Sequence, residues 1–542
     1  MPVLPRSSFS CPSRTSVVEP AIPVCYVSPT TTTMSSTPLQ HKQAAAEPDP
    51  DSRISQVDQG TTATTTALKS AKHQPAATHG AVTRPNVGEF VTLRADAVNA
   101  PTRPPLEQAV EMLRGASVSD DPGNAAANGR SGKDKAHRFW QTQPVPGLEE
   151  TGQAVQDGPL TVETVVTKER QPLIPGFEWV NVDVADDDEA KDLCALLDGH
   201  YVEDHKGVFR FNYSVEVLRW IMTAPGWQQK YHIGVRASQS RKLVAFISAT
   251  PAKIRVRNAS FVTSQVNLLC VHKKLRGKRL APVLIKEVSR ISLLANIWQG
   301  VYTASILLPR PVSTCRYYHR VINWPKMHGC GFVPLPTGST PQYETRRFAL
   351  PSATATPGLR EMRTEDVHAV LDLLARYLAR FQIAPEFTAE QAKHWFTPSK
   401  ASTQAVWSYV VENSNKEITD FFSFFCIEVA VTGTNNVLRV AHLFYYATEA
   451  GLSKPVDVSA LKVRTNALIN DALVLARDAK MDMFNALSLM DNALFLDDQL
   501  FQPGDAQLHY YLFNYRTGDI ASGMAGDRLD KENLSGIGLI LP

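Results

Sequence analysis

Apolar and polar positions divide this chain into an N-terminal segment without periodicity and a longer region with recurring secondary-structure patterns. Up to about residue 130 the sequence is rich in Ser, Thr, Ala, Pro, Gln and Gly, with low-complexity runs such as PTTTTMSSTP. Such a segment buries too little apolar surface to offset its conformational entropy, so we expect residues 1–130 to be a disordered tail. The pattern permits a short helix at 105–113. Localisation to ribosomes or membranes and a spacer without specific role both stay open, and the composition favours the spacer.

Beyond the tail, similar patterns recur at nearly equal spacing. A helix pattern (DDDEAKDLCALLDGHY) precedes the strand pattern KLVAFISA, and a second (TEDVHAVLDLLARYL) precedes TDFFSFFCI. Leu196 and Leu373 are 177 positions apart, and Phe246 and Phe421 are 175 apart. Two such offsets indicate two copies of one α/β unit, so we predict a mixed α/β (α+β) fold with a helix-flanked mixed sheet in each copy. Further predicted elements are strands at 439–447 and 509–515 and a long helix near 458–479.

The stretch 265–290 carries the strongest chemical signal. An apolar strand runs into a short loop in which five of seven residues are cations: Lys273, Lys274, Arg276, Lys278 and Arg279. An amphipathic helix follows, with Leu280, Leu284 and Val288 on its apolar stripe. Backbone N–H groups at a helix N-terminus attract anions, so we expect a phosphate-rich ligand here. The alternative is a basic patch for nucleic acid or nuclear import. The formal net charge of only +3 argues against a general polyanion binder, and no nucleic-acid partner is expected.

Composition limits the protein class. A length of 542 residues, 43% of them hydrophobic, is enough for about two to four domains. The seven cysteines are odd in number and scattered, which fits a reducing compartment and neither a disulfide framework nor a zinc site, so we expect no metal. No apolar run approaches the length of a membrane-spanning helix, so we expect no such helix and a cytoplasmic location.

Several motifs are similar to those of one family. The run NLLCVHKKLRGKRLAPVLIKE closely resembles the signature of the glycylpeptide N-tetradecanoyltransferases, or N-myristoyltransferases. So do HRFWQTQPVP, YVEDHKGVFRFNYS, VYTASILLPRPVSTCRYYHR and PGDAQLHYYLFNY, in the family's order. The resemblance implies a tandem pair of GNAT-like acyltransferase domains forming one compact catalytic unit. Residues 131–350 would bind acyl-CoA, and 351–542 would bind the peptide and supply a catalytic C-terminus.

The implied reaction is transfer of myristate from myristoyl-CoA, a co-substrate and not a permanently bound cofactor, to N-terminal glycine of proteins and nascent peptides. An α-amine has a pKa near ~7.7–8.0 and must lose a proton before it attacks the thioester directly. The resemblance assigns the base to the terminal carboxylate of Pro542 and a proton relay to Thr303. It assigns the oxyanion donors to the backbone N–H groups of Leu268 and Leu269, at an irregularity of the strand. From the residues alone, Thr303 is equally a buried strand threonine, and the final GLILP is an apolar cap on a sheet. We expect a monomer that binds acyl-CoA first.

The resemblance also implies a set of acyl-CoA contacts. They are Arg138, Phe139, Trp140, Leu268, Leu269, Cys270, Val271, Lys273, Lys274, Arg276, Gly277, Arg279, Leu280 and Ala281. GNAT acetyltransferases use R-x-x-G-x-G/A at the pyrophosphate, and Arg279 replaces the first of those glycines. Gly277 stands where the family often has serine, which removes a hydroxyl contact of about 1 kcal/mol. An acyl-enzyme on Cys270 is the rival mechanism, but a thiol in an apolar strand keeps a high pKa.

For the peptide, the family's groove maps onto a second set. It comprises Tyr201, Asp204, Phe209, Phe211, Tyr213, Asn267, Tyr317, His319, Ser423 and Asp505. The segment 201–214 is either a lid loop or a half-buried strand, because its aromatic residues alternate. The family often has acids where this chain has His205 and Lys206, so a preference for a basic peptide residue is not carried over. Two rival functions stay open: acylation of lysine or small amines, and binding of acyl-CoA or lipopeptide without catalysis. The segment 518–534 is expected to be a mobile loop.

Overall fold

The computed structural model describes residues 137–147, 156–398 and 404–542. The expected disordered tail at 1–130, the short helix at 105–113, Cys11 and Cys25 lie outside the described residues. Within those residues, no helix is long and apolar enough to cross a membrane.

The helices predicted at 186–201, after residue 279, at 364–378 and near 458–479 are present, and four further helices in the described part of the chain were not predicted. In chain order, the helices are α1 (Asp187–His200), α2 (Val215–Met222), α3 (Leu280–Leu294), α4 (Trp324–Gly329), α5 (Pro341–Arg347), α6 (Val367–Leu378), α7 (Ala389–Phe396) and α8 (Val458–Asp478). Side-chain caps fix several starts. Asp186 accepts the N–H groups of Asp188 and Glu189, and Asp457 accepts those of Ser459 and Ala460, which satisfies amides that lack a partner in the first turn.

Several strands extend beyond the apolar runs that predicted them. In chain order, the strands are β1 (Phe177–Asn181), β2 (Phe209–Asn212), β3 (His232–Ala237), β4 (Leu243–Val256), β5 (Ala259–Val271), β6 (Gln299–Ala304), β7 (Ser313–Val321), β8 (Leu359–Glu361), β9 (Ile383–Pro385), β10 (Val406–Glu412), β11 (Ile418–Val431), β12 (Val437–Thr448), β13 (Met483–Leu487), β14 (Gln502–Phe513), β15 (Met524–Ala525) and β16 (Arg528–Leu529). The predicted strands at 439–447 and 509–515 correspond to β12 and the end of β14.

The first fourteen of these strands form one sheet, which confirms a mixed α/β fold. Its order is β1-β3-β4-β5-β6-β14-β7-β13-β12-β11-β10-β8, with β2 on β11 and β9 on β4. The prediction of a separate sheet in each copy was therefore wrong. The reason is that strands from both halves pair in the middle, so the junction has no free edge.

The repeat itself is present in the topology. Strands β3, β4 and β5, helix α3 and strand β6 have the same order and directions as β10, β11, β12, α8 and β13, and the pairs β5–β6 and β12–β13 are both parallel. The halves then exchange their last strands. Strand β7, which follows β6 in the chain, pairs with β13, while β14, which follows β13, pairs with β6. Each half thus completes the other.

Two segments differ from the loops that the sequence suggested. Within 201–214, residues 209–212 form β2, which pairs with the end of β11, so the half-buried strand is the correct alternative there. The segment 518–534, expected to be a mobile loop, contains the hairpin of β15 and β16. Ser488 Oγ fixes its base by donating to the carbonyl of Ser522 at 3.0 Å.

Candidate active site

A cavity of about 470 Å³ lies between β5, β6 and α3. The parallel strands β5 and β6 pair only over 263–265 and 299–301. Beyond that point they separate, and α3 covers the opening from one side. The wall is mostly apolar and includes Val266, Leu269, Ile285, Val288, Ile297 and Phe513. The space suits a long aliphatic chain, because transfer of such a chain from water into an apolar slot is favourable.

A β-bulge interrupts β5 beside this cavity. Phe246 stands opposite Cys270 and Ser248 opposite Asn267, so Leu268 and Leu269 together face a single residue of β4. Leu268 adopts φ 55°, in the left-handed region that costs an L-residue roughly 1–2 kcal/mol. Both leucines line the cavity. The phenol of Tyr201 lies beside the backbone of Leu268, and Tyr201 lines the same cavity. The expected strand irregularity is therefore confirmed.

The cationic loop is partly engaged inside the protein. Lys273 Nζ lies 2.6 Å from a carboxylate oxygen of Glu203. The Arg276 guanidinium donates to the carbonyls of His200 and Val271, and so caps the C-terminal end of α1. Lys274 is exposed. These three predicted acyl-CoA contacts thus have different surroundings, and Lys274 is the one whose side chain faces solvent.

Two residues of the loop turn the chain into α3. Gly277 has φ 74° and Arg279 has φ 60°, directly before the helix begins at Leu280. The left-handed conformation at Arg279 is one that glycine adopts without strain. This explains what the GNAT glycine does at that position and shows that arginine can replace it at a conformational cost. Ala281, in the first turn of α3, lines the cavity.

Aromatic rings close one side of the cavity. Trp140 stacks on Tyr302 with centroids 5.6 Å apart, and Tyr302 stacks on Tyr511 at 5.0 Å. Phe139 packs edge-on against Trp140 at 5.2 Å, and both line the cavity. Arg138 is exposed and is not part of the wall. The segment 138–140 therefore contributes two aromatic rings at this side of the slot.

Cys270 is held as an inert thiol. It is 2% exposed, and its Sγ lies 3.8 Å from the carbonyl of Leu196. Burial raises the pKa of Cys270 to about 12, so almost no thiolate exists at neutral pH. His272 lies beyond the end of β5 and packs against His200, with ring centroids 3.9 Å apart. This arrangement gives Cys270 no activating base and argues against an acyl-enzyme. Val271, the last residue of β5, is partly buried and packs against the α3 core.

The end of the chain runs into the core. Gly538 N–H donates to the carbonyl of Ile383 at 2.7 Å. Tyr510 donates its hydroxyl proton to the carbonyl of Leu539 at 3.0 Å, and the Tyr445 hydroxyl accepts the N–H of Ile540 at 2.9 Å. Pro542 lines a second, small cavity of about 30 Å³. Its wall includes Gln265 of β5, the residue next to Val266 of the larger cavity. The terminal residue thus lies close to the strand that carries the bulge.

The remaining predicted catalytic and groove residues lie on several strands. Thr303 on β6 and Asn267 on β5 line the large cavity, as does Tyr201. Tyr213 is 7% exposed and lies within 6.2 Å of Tyr201, centroid to centroid. Phe211 contacts Tyr213 at 6.0 Å. These side chains form an aromatic group beside the mouth of the slot.

Other predicted groove residues have mainly internal partners. Asp204 is 3% exposed, and its carboxylate accepts the N–H groups of Lys206 and Phe209, so it shapes its own turn. Phe209 packs on Phe332 at 5.0 Å, in a separate cluster from the cavity. Ser423 Oγ donates to the carbonyl of Tyr445 at 2.9 Å. Their assignment to the peptide groove stays a prediction.

A row of polar side chains crosses four neighbouring strands. Gln502, His319, Asn485 and His442 stand directly opposite one another on β14, β7, β13 and β12. His319 Nδ1 lies 2.6 Å from Asn485 Oδ1, and the Nε2 atoms of both histidines are buried without a hydrogen-bond partner. Burial lowers the pKa of His319 to about 4 and that of His442 to about 3, so both rings are neutral. Buried nitrogens are normally hydrogen-bonded, so these two are available to a polar group of a ligand or to water.

Four of these residues were not predicted from the sequence. They are Asn485 and His442 in the polar row, and Tyr445 and Tyr510, which hydrogen-bond the C-terminal segment. A polar residue inside the otherwise apolar strand VLRVAHLFYYAT is the signal that would have identified His442. Of the predicted residues nearby, Tyr317 packs against the main core, and Asp505 is exposed in an irregular part of β14, close enough to His319 to influence its pKa.

Comparisons with known proteins point to one family. The family profile described as Myristoyl-CoA:protein N-myristoyltransferase, N-terminal domain, matches residues 158–315, and that of the C-terminal domain matches 329–540. A Neurospora crassa protein named glycylpeptide N-tetradecanoyltransferase is 44% identical over 484 residues, 87% of this chain and 85% of its own. A protein of the same name from Emericella nidulans is 46% identical over 444 residues, 80% of this chain and 90% of its own. The crystal structure of Saccharomyces cerevisiae N-myristoyltransferase with bound myristoyl-CoA superposes with a TM-score of 0.73 at 42% identity, covering 75% of this chain and 99% of that chain.

Proposed function

The chain belongs to the N-myristoyltransferase family, and from that premise we propose how its residues carry out the transfer. It is an acyltransferase that moves a tetradecanoyl group from myristoyl-CoA, its co-substrate, to N-terminal glycine. The resemblance seen in the sequence is thereby confirmed.

We place the acyl chain in the slot between β5, β6 and α3. Its thioester lies at the bulge of Leu268 and Leu269, and its phosphates lie at the cationic loop before α3. Two features support this placement. The wall of the slot along α3, from Ala281 to Leu293, is mostly apolar, and the loop at its open end combines cations with a helix N-terminus.

The amine attacks the thioester carbonyl directly in this mechanism. A carbon–nitrogen bond forms, the carbonyl oxygen gains negative charge, and the carbon–sulfur bond then breaks to release CoA. The backbone N–H groups of Leu268 and Leu269 would stabilise the oxyanion. Donors fixed before charge develops are worth about 3–4 kcal/mol each in comparable sites. The bulge carries this proposal, because a regular strand would use those N–H groups in its ladder.

The amine must lose a proton, and we assign that proton to the terminal carboxylate of Pro542, with Thr303 as relay. The route of the last residues supports the assignment: Tyr510 and Tyr445 fix them in the core, and Pro542 lies beside the strand that carries the bulge. A general base contributes typically about 10²–10⁴-fold to the rate.

The peptide would approach past Tyr201 and Asn267 and continue along the polar row of His319 and Asn485. A bare Cα at the first residue leaves no side chain to meet the wall beside the thioester. A methyl group at that point should clash. This predicts strict selection of glycine over alanine.

The decisive experiment is release of CoA from myristoyl-CoA with an octapeptide beginning Gly-x-x-x-Ser. The matched control peptide begins with Ala and is otherwise identical. Release with Gly and none with Ala supports the mechanism. Equal release with both peptides, or with a lysine side chain alone, favours a less selective acyltransferase. Tight binding of myristoyl-CoA without release favours a binding protein.

We propose that the protein is a cytoplasmic monomer that acts on nascent chains. Contact with ribosomes is the role of the N-terminal segment that we propose to test. We retain the division at residue 350, with acyl-CoA contacts mainly before it and the terminal carboxylate after it. The matched family regions, 158–315 and 329–540, support a boundary nearby. Cell fractionation of a tagged chain, with the tag at the N-terminus, tests the location.

A further inference from the structure

A pair of buried hydroxyl groups lies in the mostly apolar wall of the acyl slot. Ser264 on β5 and Ser292 on α3 both line the cavity and are 4% and 5% exposed. Ser264 Oγ donates to Ser292 Oγ at 2.7 Å, and Ser292 Oγ donates to the carbonyl of Val288 at 2.8 Å. Each serine has one proton, and that of Ser292 goes to Val288. The direction of the first hydrogen bond is therefore fixed, with Ser264 as donor.

This arrangement leaves unused acceptor capacity at Ser264. A hydroxyl oxygen can accept two hydrogen bonds. Across the described ranges, no group donates to Ser264 Oγ, whose one hydrogen bond is its donation to Ser292. A donor inside the slot would therefore find a fixed acceptor at Ser264, whereas a purely aliphatic chain leaves it unused.

The pair lies at the end of the slot farthest from the proposed thioester position. Ser264 is four residues from Leu268 along β5, or about 13 Å at the rise of a strand. Ser292 is eleven residues beyond Ala281 along α3, or about 16 Å at the rise of a helix. Gly300 and Phe513 stand beside Ser264 in the same row of β5, β6 and β14. The face of Gly300 is covered by Phe513, whose Cβ lies 3.1 Å from the position that a Cβ at residue 300 would take, so Ser264 and Phe513 form this end of the slot together.

We propose that the Ser264–Ser292 pair is a specificity determinant for the distal half of the acyl chain, and that it favours tetradecanoyl-CoA bearing a hydroxyl group there. The hydroxyl of the chain donates to Ser264 Oγ. This inference rests on the proposed function, because it assumes that the acyl chain occupies the slot with its thioester at the bulge.

The test compares kcat/KM for unsubstituted myristoyl-CoA with that for derivatives bearing one hydroxyl in the distal or the proximal half of the chain. We expect a preference of about fivefold to tenfold for a distal hydroxyl at one position over a proximal one, the size of one net neutral hydrogen bond. In Ser264→Ala the ratio of distal-hydroxyl to unsubstituted kcat/KM should fall by the same factor. Because both substrates are measured on one variant, a general loss of activity cancels. Ser289→Ala, which removes another hydroxyl of the slot wall, is the matched control, and its ratio should stay unchanged.

A second variant tests the direction of the hydrogen bond and does not depend on Ser264→Ala folding. Ser292→Ala frees the proton of Ser264, which can then donate as well as accept. It should keep the preference for a distal hydroxyl and gain a preference of about fivefold for a distal ketone, which only accepts. Equal losses for all substrates in both variants would show that the pair is only a structural tie between α3 and β5, and would overturn the proposal. No turnover of any acyl-CoA would instead overturn the proposed function. If no acyl-CoA is turned over, calorimetric affinities of the same derivatives still test the serine proposal. Equal affinities would overturn it.

Discussion

The hydroxyl of Tyr510 donates to the carbonyl of Leu539 at 3.0 Å, while the backbone of Tyr510 pairs with that of Thr303 on the next strand. One side chain therefore connects the end of the chain to a strand of the acyl cavity. Tyr445 makes a matching contact to Ile540 from the opposite half of the sheet. The hydroxyl groups of Tyr510 on β14 and Tyr445 on β12 thus position the C-terminal segment and its proposed catalytic carboxylate.

Replacement of Tyr510 by Phe should loosen this connection. We expect a loss of about 1 kcal/mol in the free energy of unfolding, as for one buried hydrogen bond, and a fall in kcat of about threefold to tenfold with little change in KM for myristoyl-CoA. Tyr446→Phe is the control, since its buried hydroxyl bonds Asn492 and not the C-terminal segment. It should cost similar stability with kcat nearly unchanged. Equal kcat losses in both variants would argue against a positioning role for Tyr510.

Addition of two alanines after Pro542 should nearly abolish turnover. Each residue can move the carboxylate by about 3.3–3.6 Å, so it no longer reaches the amine, and we expect a fall of about 10²–10⁴-fold in kcat. Binding of myristoyl-CoA, measured by calorimetry, should change little. Pro542→Ala keeps the carboxylate in place and should lose far less activity. An extended chain with normal kcat would exclude the terminal carboxylate as base.

Cys270→Ser should leave kcat within about threefold, because the buried thiol stays protonated and direct attack does not use it. Mass spectrometry of acid-quenched enzyme during turnover should find no myristoyl thioester on the protein. A thioester trapped on Cys270, together with an inactive serine variant, would replace direct attack with an acyl-enzyme mechanism.

Arg279→Gly should raise the stability of the protein and weaken its binding of myristoyl-CoA. Glycine relieves the left-handed conformation, so we expect the free energy of unfolding to rise by about 1 kcal/mol. Loss of the cation should raise KM for myristoyl-CoA about tenfold, the weight of a charged hydrogen bond. Lys274→Ala removes an exposed cation without relieving strain. It should raise KM and leave stability unchanged. A more stable Arg279→Gly variant with unaltered KM would remove Arg279 from the phosphate site.

The sequence predicted several helices and strands correctly, but not how the strands of the two halves pair. Helix α1 and helix α8 were predicted to within about a residue, because caps and apolar periodicity act over a few positions. The bulge at Leu268 depends on register with β4, which local periodicity does not record. The alignment of His319, Asn485 and His442 needs three strands from distant segments. The family motifs supplied the bulge only as an implication, and the structure provided its geometry.

The buried histidines should make the fold sensitive to acid. Burial lowers the pKa of His442 from 6.5 to about 3, so below pH 6.5 the unfolded chain binds a proton that the folded chain does not. Stability therefore falls as pH decreases through this window, by at most about 1.4 kcal/mol per pH unit for one such histidine. His442→Phe, which keeps the stacking on Phe425, should reduce the loss between pH 7 and pH 5. Denaturant titrations at both values test this, and identical pH slopes in parent and variant would contradict it.

The position of β14 between β6 and β7 has a consequence for incomplete chains. These strands pair across about two hundred residues of sequence, and contacts of such separation form slowly. A fragment truncated before Gln502 would leave β6 and β7 as exposed edges in the middle of the sheet, where unpaired backbone groups promote aggregation. Premature stop codons should therefore yield insoluble products even late in the gene. Conversely, two separately expressed halves should become soluble only when they are produced together, as in a split-protein complementation assay.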